Sequence, residues 1–218
     1  YKAGNNVIIP AGVTMSGLYG SSTVWVLTAT NQTMFTVYGK FRNFYLDCSS
    51  KAYAADLLVV KQGGEIENIA MTNCINHGAA ANGTLLYVTS DYTTGADHVV
   101  PSTSVAKIKN YRANDYKAIA DFTTSGDGAA FKIKFAQRAE INDSYFGHPY
   151  GASGASEATW LINTSSWIYF NGTTFDGAAG RNIVVTGNMG PIYWDRCTFV
   201  PKYNAGGYGG DSGFITLF

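Results

Sequence analysis

The sequence predicts an all-β fold, a single-stranded right-handed parallel β-helix, or solenoid, of about seven coils over residues 1–218. Three observations predict it. A strand-and-bend motif recurs along the chain, its copies align into chemically uniform columns, and no segment holds a sustained helical period.

The motif is Φ-x-Φ-x-Asn-x-x-Φ, where Φ is apolar. It occurs at Gly39–Leu46, Gly64–Met71, Ala106–Ala113, Ala139–Phe146, Ile168–Phe175 and Ile192–Phe199. The last three copies lose the Asn but keep the apolar frame. The central Φ residues fall at 41, 66, 108, 141, 170 and 194, at intervals of 25, 42, 33, 29 and 24, and the shortest intervals define the bare coil. A second apolar run lies upstream of most copies, as in Leu57–Val60, Phe131–Ile133, Leu161–Ile162 and Ile183–Val185, so each coil carries two or three strands. A propeller blade needs about 40 or more residues at a steady period, which these intervals do not keep.

Coils stack about 4.8 Å apart, so equivalent residues become neighbours. One inward column reads Phe41, Ile66, Ile108, Ile141, Phe170, Trp194, and another Leu46, Met71, Ala113, Phe146, Phe175, Phe199. The outward columns begin Lys40, Glu65, Lys107, Glu140 and Arg42, Glu67, Lys109, Asn142. Opposite charges alternate up both, which sets register even though each exposed pair contributes only roughly 0.2–1 kcal/mol. Asn43, Asn68 and Asn110, followed by Asp143, form a column suited to a tight bend, where Asn tolerates left-handed backbone and stacked amides bond along the axis.

Composition limits the function classes. Charged residues are 14%, with 15 basic and 15 acidic side chains, so no net field attracts nucleic acid or anionic lipid. No apolar run is long enough to insert in a membrane. Cys48, Cys74 and Cys197 are too few for a disulfide scaffold and are expected to be reduced core residues. The start, without Met or leader anatomy, reads as the interior of a longer chain, and Phe214–Phe218 as a strand with no turn after it. An uncapped β-helix exposes sheet edges at its ends, so flanking domains or partner chains are expected to cover them.

These residues resemble the pectin-lyase-like right-handed parallel β-helix superfamily. The opening Val7-Ile-Ile-Pro10-Ala-Gly12-Val is similar to the first rung of its bacteriophage tailspike and tail-fibre members. The resemblance implies a homotrimer on the virion tail, attached to flanking domains or other virion proteins, that binds bacterial surface polysaccharide. It also implies possible depolymerase activity, with glycoside hydrolase favoured over lyase. A structural or adhesive shaft without catalysis is the competing class, since a fold does not specify function.

A site is expected on loops rather than coils. Most insertions follow the last Φ, at 47–55, 75–83, 114–128, 147–157, 176–182 and 200–213, and so share one edge. Glycoside hydrolysis needs two carboxyl groups about 5–9.5 Å apart. In the column after the last Φ, Asp47 and Asp176 are four rungs, roughly 19 Å, apart and cannot pair. Other strand acids are separated by Lys or Asn. The candidate catalytic acids are therefore the loop residues Asp127, Glu157 and Asp176, or a pair formed where two chains meet in a trimer groove, and for each of the three a solvated or turn-forming acid is the commoner reading. Tyr116, His148, Tyr150, Trp160 and Tyr203 are the candidate glycan-binding residues, with trimer contact the alternative for the aromatics. His77, His98 and His148 are scattered and no column converges carboxylates, so neither metal nor cofactor is expected. The sequons at Asn31, Asn82, Asn142, Asn163 and Asn171 follow from Asn and Thr richness and receive no role.

Overall fold

The computed structural model describes residues 2–3, 6–18, 23–28, 33–48, 55–73, 84–90, 104–113, 116–117, 131–147, 149–150, 158–163, 165–176, 181–187, 190–200 and 215–217. Among them there are strands and no helix. One large sheet comprises β1 (Lys2–Ala3), β3 (Thr14–Ser16), β4 (Val24–Leu27), β6 (Lys40–Asp47), β8 (Glu65–Thr72), β10 (Ala106–Ala113), β13 (Ala139–Asn142), β14 (Tyr145–Phe146), β17 (Ile168–Asn171), β18 (Thr174–Asp176), β20 (Ile192–Asp195) and β21 (Thr198–Val200). The second comprises β2 (Val7–Ile9), β5 (Phe35–Val37), β7 (Leu58–Lys61), β9 (Leu86–Thr89), β12 (Phe131–Lys134), β16 (Ala158–Asn163), β19 (Arg181–Thr186) and β22 (Ile215–Leu217). β11 (Tyr116–Lys117) and β15 (Pro149–Tyr150) form a separate pair. All three sheets are parallel, and the chain passes repeatedly from the second sheet to the first, an arrangement consistent with a parallel solenoid.

The register of the first sheet is the one the columns predict. Phe41 pairs with Ile66, Ile66 with Ile108, Ile108 with Ile141, Ile141 with Phe170, and Phe170 with Trp194. Leu46, Met71, Ala113, Phe146, Phe175 and Phe199 align likewise. Slipping one residue would turn both apolar columns to solvent. The outward ladder opposes it too, because Lys40 Nζ lies 3.1 Å from Glu65 Oε2 and Lys109 Nζ lies 3.6 Å from Glu67 Oε1. These lysines are half exposed, so the pairs select register more than they add stability.

The Asn column makes the predicted bends. Asn43, Asn68 and Asn110 have φ of 64°, 54° and 47°, and Asp143 follows at 50°. Asn68 Nδ2 donates to Asn43 Oδ1 at 2.9 Å and Asn110 Nδ2 donates to Asn68 Oδ1 at 2.8 Å, so the amides form a chain along the axis. Where the Asn is lost, Gly172 takes the same bend at φ 60°, a conformation glycine adopts without strain. Asn68→Ala should destabilise the chain by about 2 kcal/mol in urea unfolding, combining left-handed strain with two lost amide bonds. Asn68→Gly should cost less, because glycine adopts this φ freely.

Apolar side chains from both sheets meet in one core. Phe170 stacks on Trp194 with centroids 4.4 Å apart, and Phe175 on Phe199 at 5.2 Å, as columns of equivalent residues must. The second sheet differs from an amphipathic one. Val59, Lys132 and Val184 alternate with the core residues Val60, Phe131, Ile133, Ile183 and Val185, yet all three are buried. The middle of this sheet is covered on both faces, in keeping with its continuous apolar runs. The expectation of three reduced cysteines is corrected. Cys48 is buried and disulfide-bonded, while Cys197 is a free, half-buried thiol.

Candidate functional site

Asp127, Glu157, His148 and Tyr203 lie outside the described residues. The others fall into two groups. Trp160 is corrected: it is 0% exposed in β16, edge-on to Phe146 at 4.7 Å and to Phe170 at 5.5 Å, and so offers no face to a sugar. Its strand pairs Trp160 with Phe131 and Ile183, both core residues, and that phase turns the indole inward.

Asp176, Tyr116 and Tyr150 come to one edge of the first sheet. β10 pairs with β14 through Arg112–Tyr145 and Ala113–Phe146, and the chain runs on from each strand into the β11–β15 pair. There Tyr116 aligns with Pro149 and Lys117 with Tyr150. Asp176 ends β18, the strand paired with β14 on its other side. Two of the expected binding tyrosines and one of the expected acids are thus carried by neighbouring strand ends.

The sharpest contact at this edge involves residues that sequence reasoning did not single out. Tyr145 Oη donates to Asp176 Oδ2 at 2.6 Å, the length of a charge-assisted bond. The ring reaches across Gly147, where a Cβ would stand 2.4 Å from Tyr145 Cε1. Only a residue without a side chain leaves that path open. The available signal was Gly147 preceding Asp176 in the column after the last Φ, with Tyr145 two residues earlier on the same strand face.

Chemically, the edge holds a phenol fixed by a carboxylate, with the exposed Arg112 on the preceding rung. That mixture of neutral and charged hydrogen-bonding groups suits a polyhydroxylated ligand. A two-carboxylate hydrolytic pair is not furnished by the strands, because Asp176 has Val200 opposite it on one side and Gly147 in the adjoining rung of the column. A second charged cluster lies at the second sheet. Asp56 Oδ1 accepts from Thr84 N at 2.9 Å and Thr84 Oγ1 at 2.8 Å, and stands 3.8 Å from Lys132 Nζ. Lys132 Nζ also lies over the Tyr87 ring, 4.4 Å from its centroid. With Lys132 buried, this cluster is built for stability. Partial burial raises the Cys197 thiol, helped by the charge of Asp195, which weakens it as a nucleophile at neutral pH. Among the described residues no group of three or more His, Cys, Asp or Glu could hold a metal ion.

Fold and site together define an all-β protein of stacked parallel sheets with a tyrosine–carboxylate bond at one strand edge. Comparison with protein-family models, with curated proteins and with solved structures finds no match for this chain.

Proposed function

We propose that this chain is a tailspike-type right-handed parallel β-helix of about seven coils, similar to the pectin-lyase-like superfamily, that binds bacterial surface polysaccharide. On this reading it acts as a homotrimer on a virion tail, joined to flanking domains. The parallel register, the Asn bends and the low charge support the fold half of the proposal. The observation that carries the binding half is the edge where the β11–β15 pair aligns the Tyr116 and Tyr150 strands beside the Tyr145–Asp176 bond. Hydrolysis requires a second carboxylate, for which Asp127, Glu157 or an acid from an adjoining chain of the trimer is the source.

The test is calorimetric titration of purified O-antigen and capsular polysaccharides into the purified chain, with chain shortening followed in parallel. Tyr145→Phe and Asp176→Asn should each weaken binding about tenfold, the equivalent of one charge-assisted hydrogen bond. Unchanged affinity in both variants sinks the site, and a wild type that binds none of the glycans supports the structural-shaft class instead. A lyase is the second reading, favoured by a phenol already bonded to a carboxylate, since elimination calls for a base rather than a carboxylate pair. Ultraviolet-absorbing unsaturated ends would identify it, and new reducing ends without them would identify a hydrolase.

A further inference from the structure

A second feature, away from the Asp176 edge, lies at the other end of β17 and β20. Trp167 is 50% exposed and Tyr193 43% exposed, the two largest aromatic surfaces among the described residues. Tyr169 stacks on Tyr193 with centroids 4.6 Å apart and planes 12° from parallel. Arg138 lies over Tyr169, 5.8 Å from its centroid, and holds Glu140 at 3.2 Å. Trp167 is exposed and Tyr169 partly exposed while Ile168 and Phe170 are buried, so the Trp167 indole and the stacked Tyr169–Tyr193 pair make up an outer shelf bordered by one ion pair.

The backbone at Trp167 carries the argument further. Its φ is 53°, a left-handed conformation that is an outlier for so bulky a residue. The equivalent residues on flanking rungs are Arg138 and Pro191, given that Ala139, Ile168 and Ile192 align, and neither has positive φ. The connection can therefore be made without strain. Here the chain keeps both a strained backbone and an exposed indole, and packing among the described residues accounts for neither, which is the pattern of a binding residue.

We propose that Trp167, Tyr169 and Tyr193 form a saccharide-stacking subsite that takes the apolar face of a pyranose ring, with Arg138 beside its hydroxyls. Aromatic faces offer apolar area next to polar edges, which is what a sugar ring presents in return. Aromatic side chains carry roughly 150–250 Å² each, and Trp167 and Tyr193 are already about half buried with Tyr169 more so, which leaves about 300 Å² to cover, well short of the ~800 Å² per partner of a stable protein interface, so a sugar fits the shelf better than a second copy of the chain. This inference rests on the reading that the chain engages glycan, and it places a second contact on that glycan.

The experiment is affinity electrophoresis of the whole chain through gels cast with purified O-antigen and capsular polysaccharides, alongside thermal unfolding. Trp167→Gly and Tyr193→Ala should each weaken retardation at least tenfold. Trp167→Gly should also leave Tm unchanged or raise it by up to about 4 °C, because glycine accepts the left-handed backbone. A structural tryptophan would lower Tm instead, and that result overturns the proposal. Retardation lost in Tyr145→Phe but retained in both shelf variants overturns the shelf and leaves the edge site standing. No retardation of the wild type in any gel overturns the glycan reading and the shelf with it. A change of sedimentation in Trp167→Gly with unaltered retardation assigns the shelf to a second copy and also overturns the proposal.

Discussion

Trp160→Ala is expected to remove about 3–5 kcal/mol of stability, the cost of deleting a buried aromatic whose surroundings cannot collapse onto the void. The indole is fully buried and touches rings from both sheets: Phe131 at 5.3 Å, Phe146 at 4.7 Å, Phe170 at 5.5 Å and Phe175 at 6.2 Å. These residues belong to several rungs held in place by backbone ladders, so none can move far to fill the space. Trp160→Phe should lose about 1 kcal/mol or less. Its Nε1 has no hydrogen-bond partner among the described residues, so the smaller ring gives up volume but also removes a desolvated donor. Urea unfolding of the two variants checks both figures, and equal losses would show that the orphan donor is satisfied after all.

Asp56→Ala is expected to cost about 3 kcal/mol, since it strands the Lys132 ammonium in a nearly closed environment. Lys132 is 6% exposed, and among the described residues its remaining partner is the Tyr87 face. The expected loss sits at the low end for buried pairs because the Asp56 side chain is 24% exposed and water reaches it. Asp56→Asn should recover part of the loss, keeping an oxygen for the Thr84 N–H and hydroxyl while removing the charge. The double variant Asp56→Ala with Lys132→Met should be more stable than Asp56→Ala alone, because no charge is then left buried. A double-mutant cycle by urea unfolding measures this directly, and additive losses would refute the coupling.

The first sheet was legible residue by residue. Inward apolar columns and outward alternating charges constrain one register, and a strand of period two has only one phase that satisfies both. The Asn bends were legible for the same reason, because few residues accept a left-handed backbone and only Asn and Asp also offer a stackable side chain. Trp160 was misjudged as exposed: in the run Ala158–Asn163 the apolar residues are contiguous, so alternation does not say which of them point inward. Lys132 sits between Phe131 and Ile133 in the pattern of a solvent-facing residue, and local alternation carries no information on what covers the outer face.

The edge site was legible only in part. That insertions gather on one side of the repeat follows from where they fall in the motif, and this brought Tyr116, Tyr150 and Asp176 into consideration together. The bond from Tyr145 to Asp176 spans two rungs and depends on the open path over Gly147, a distance that no linear spacing encodes. The sequence by itself determined the strand repeat, the register and the bends, because those are periodic and every copy repeats the same physical demand. Tertiary structure alone decided that Trp160 and Lys132 are buried, that Cys48 is oxidised and that Tyr145 meets Asp176, because each depends on neighbours that occur once and lie far away in the chain.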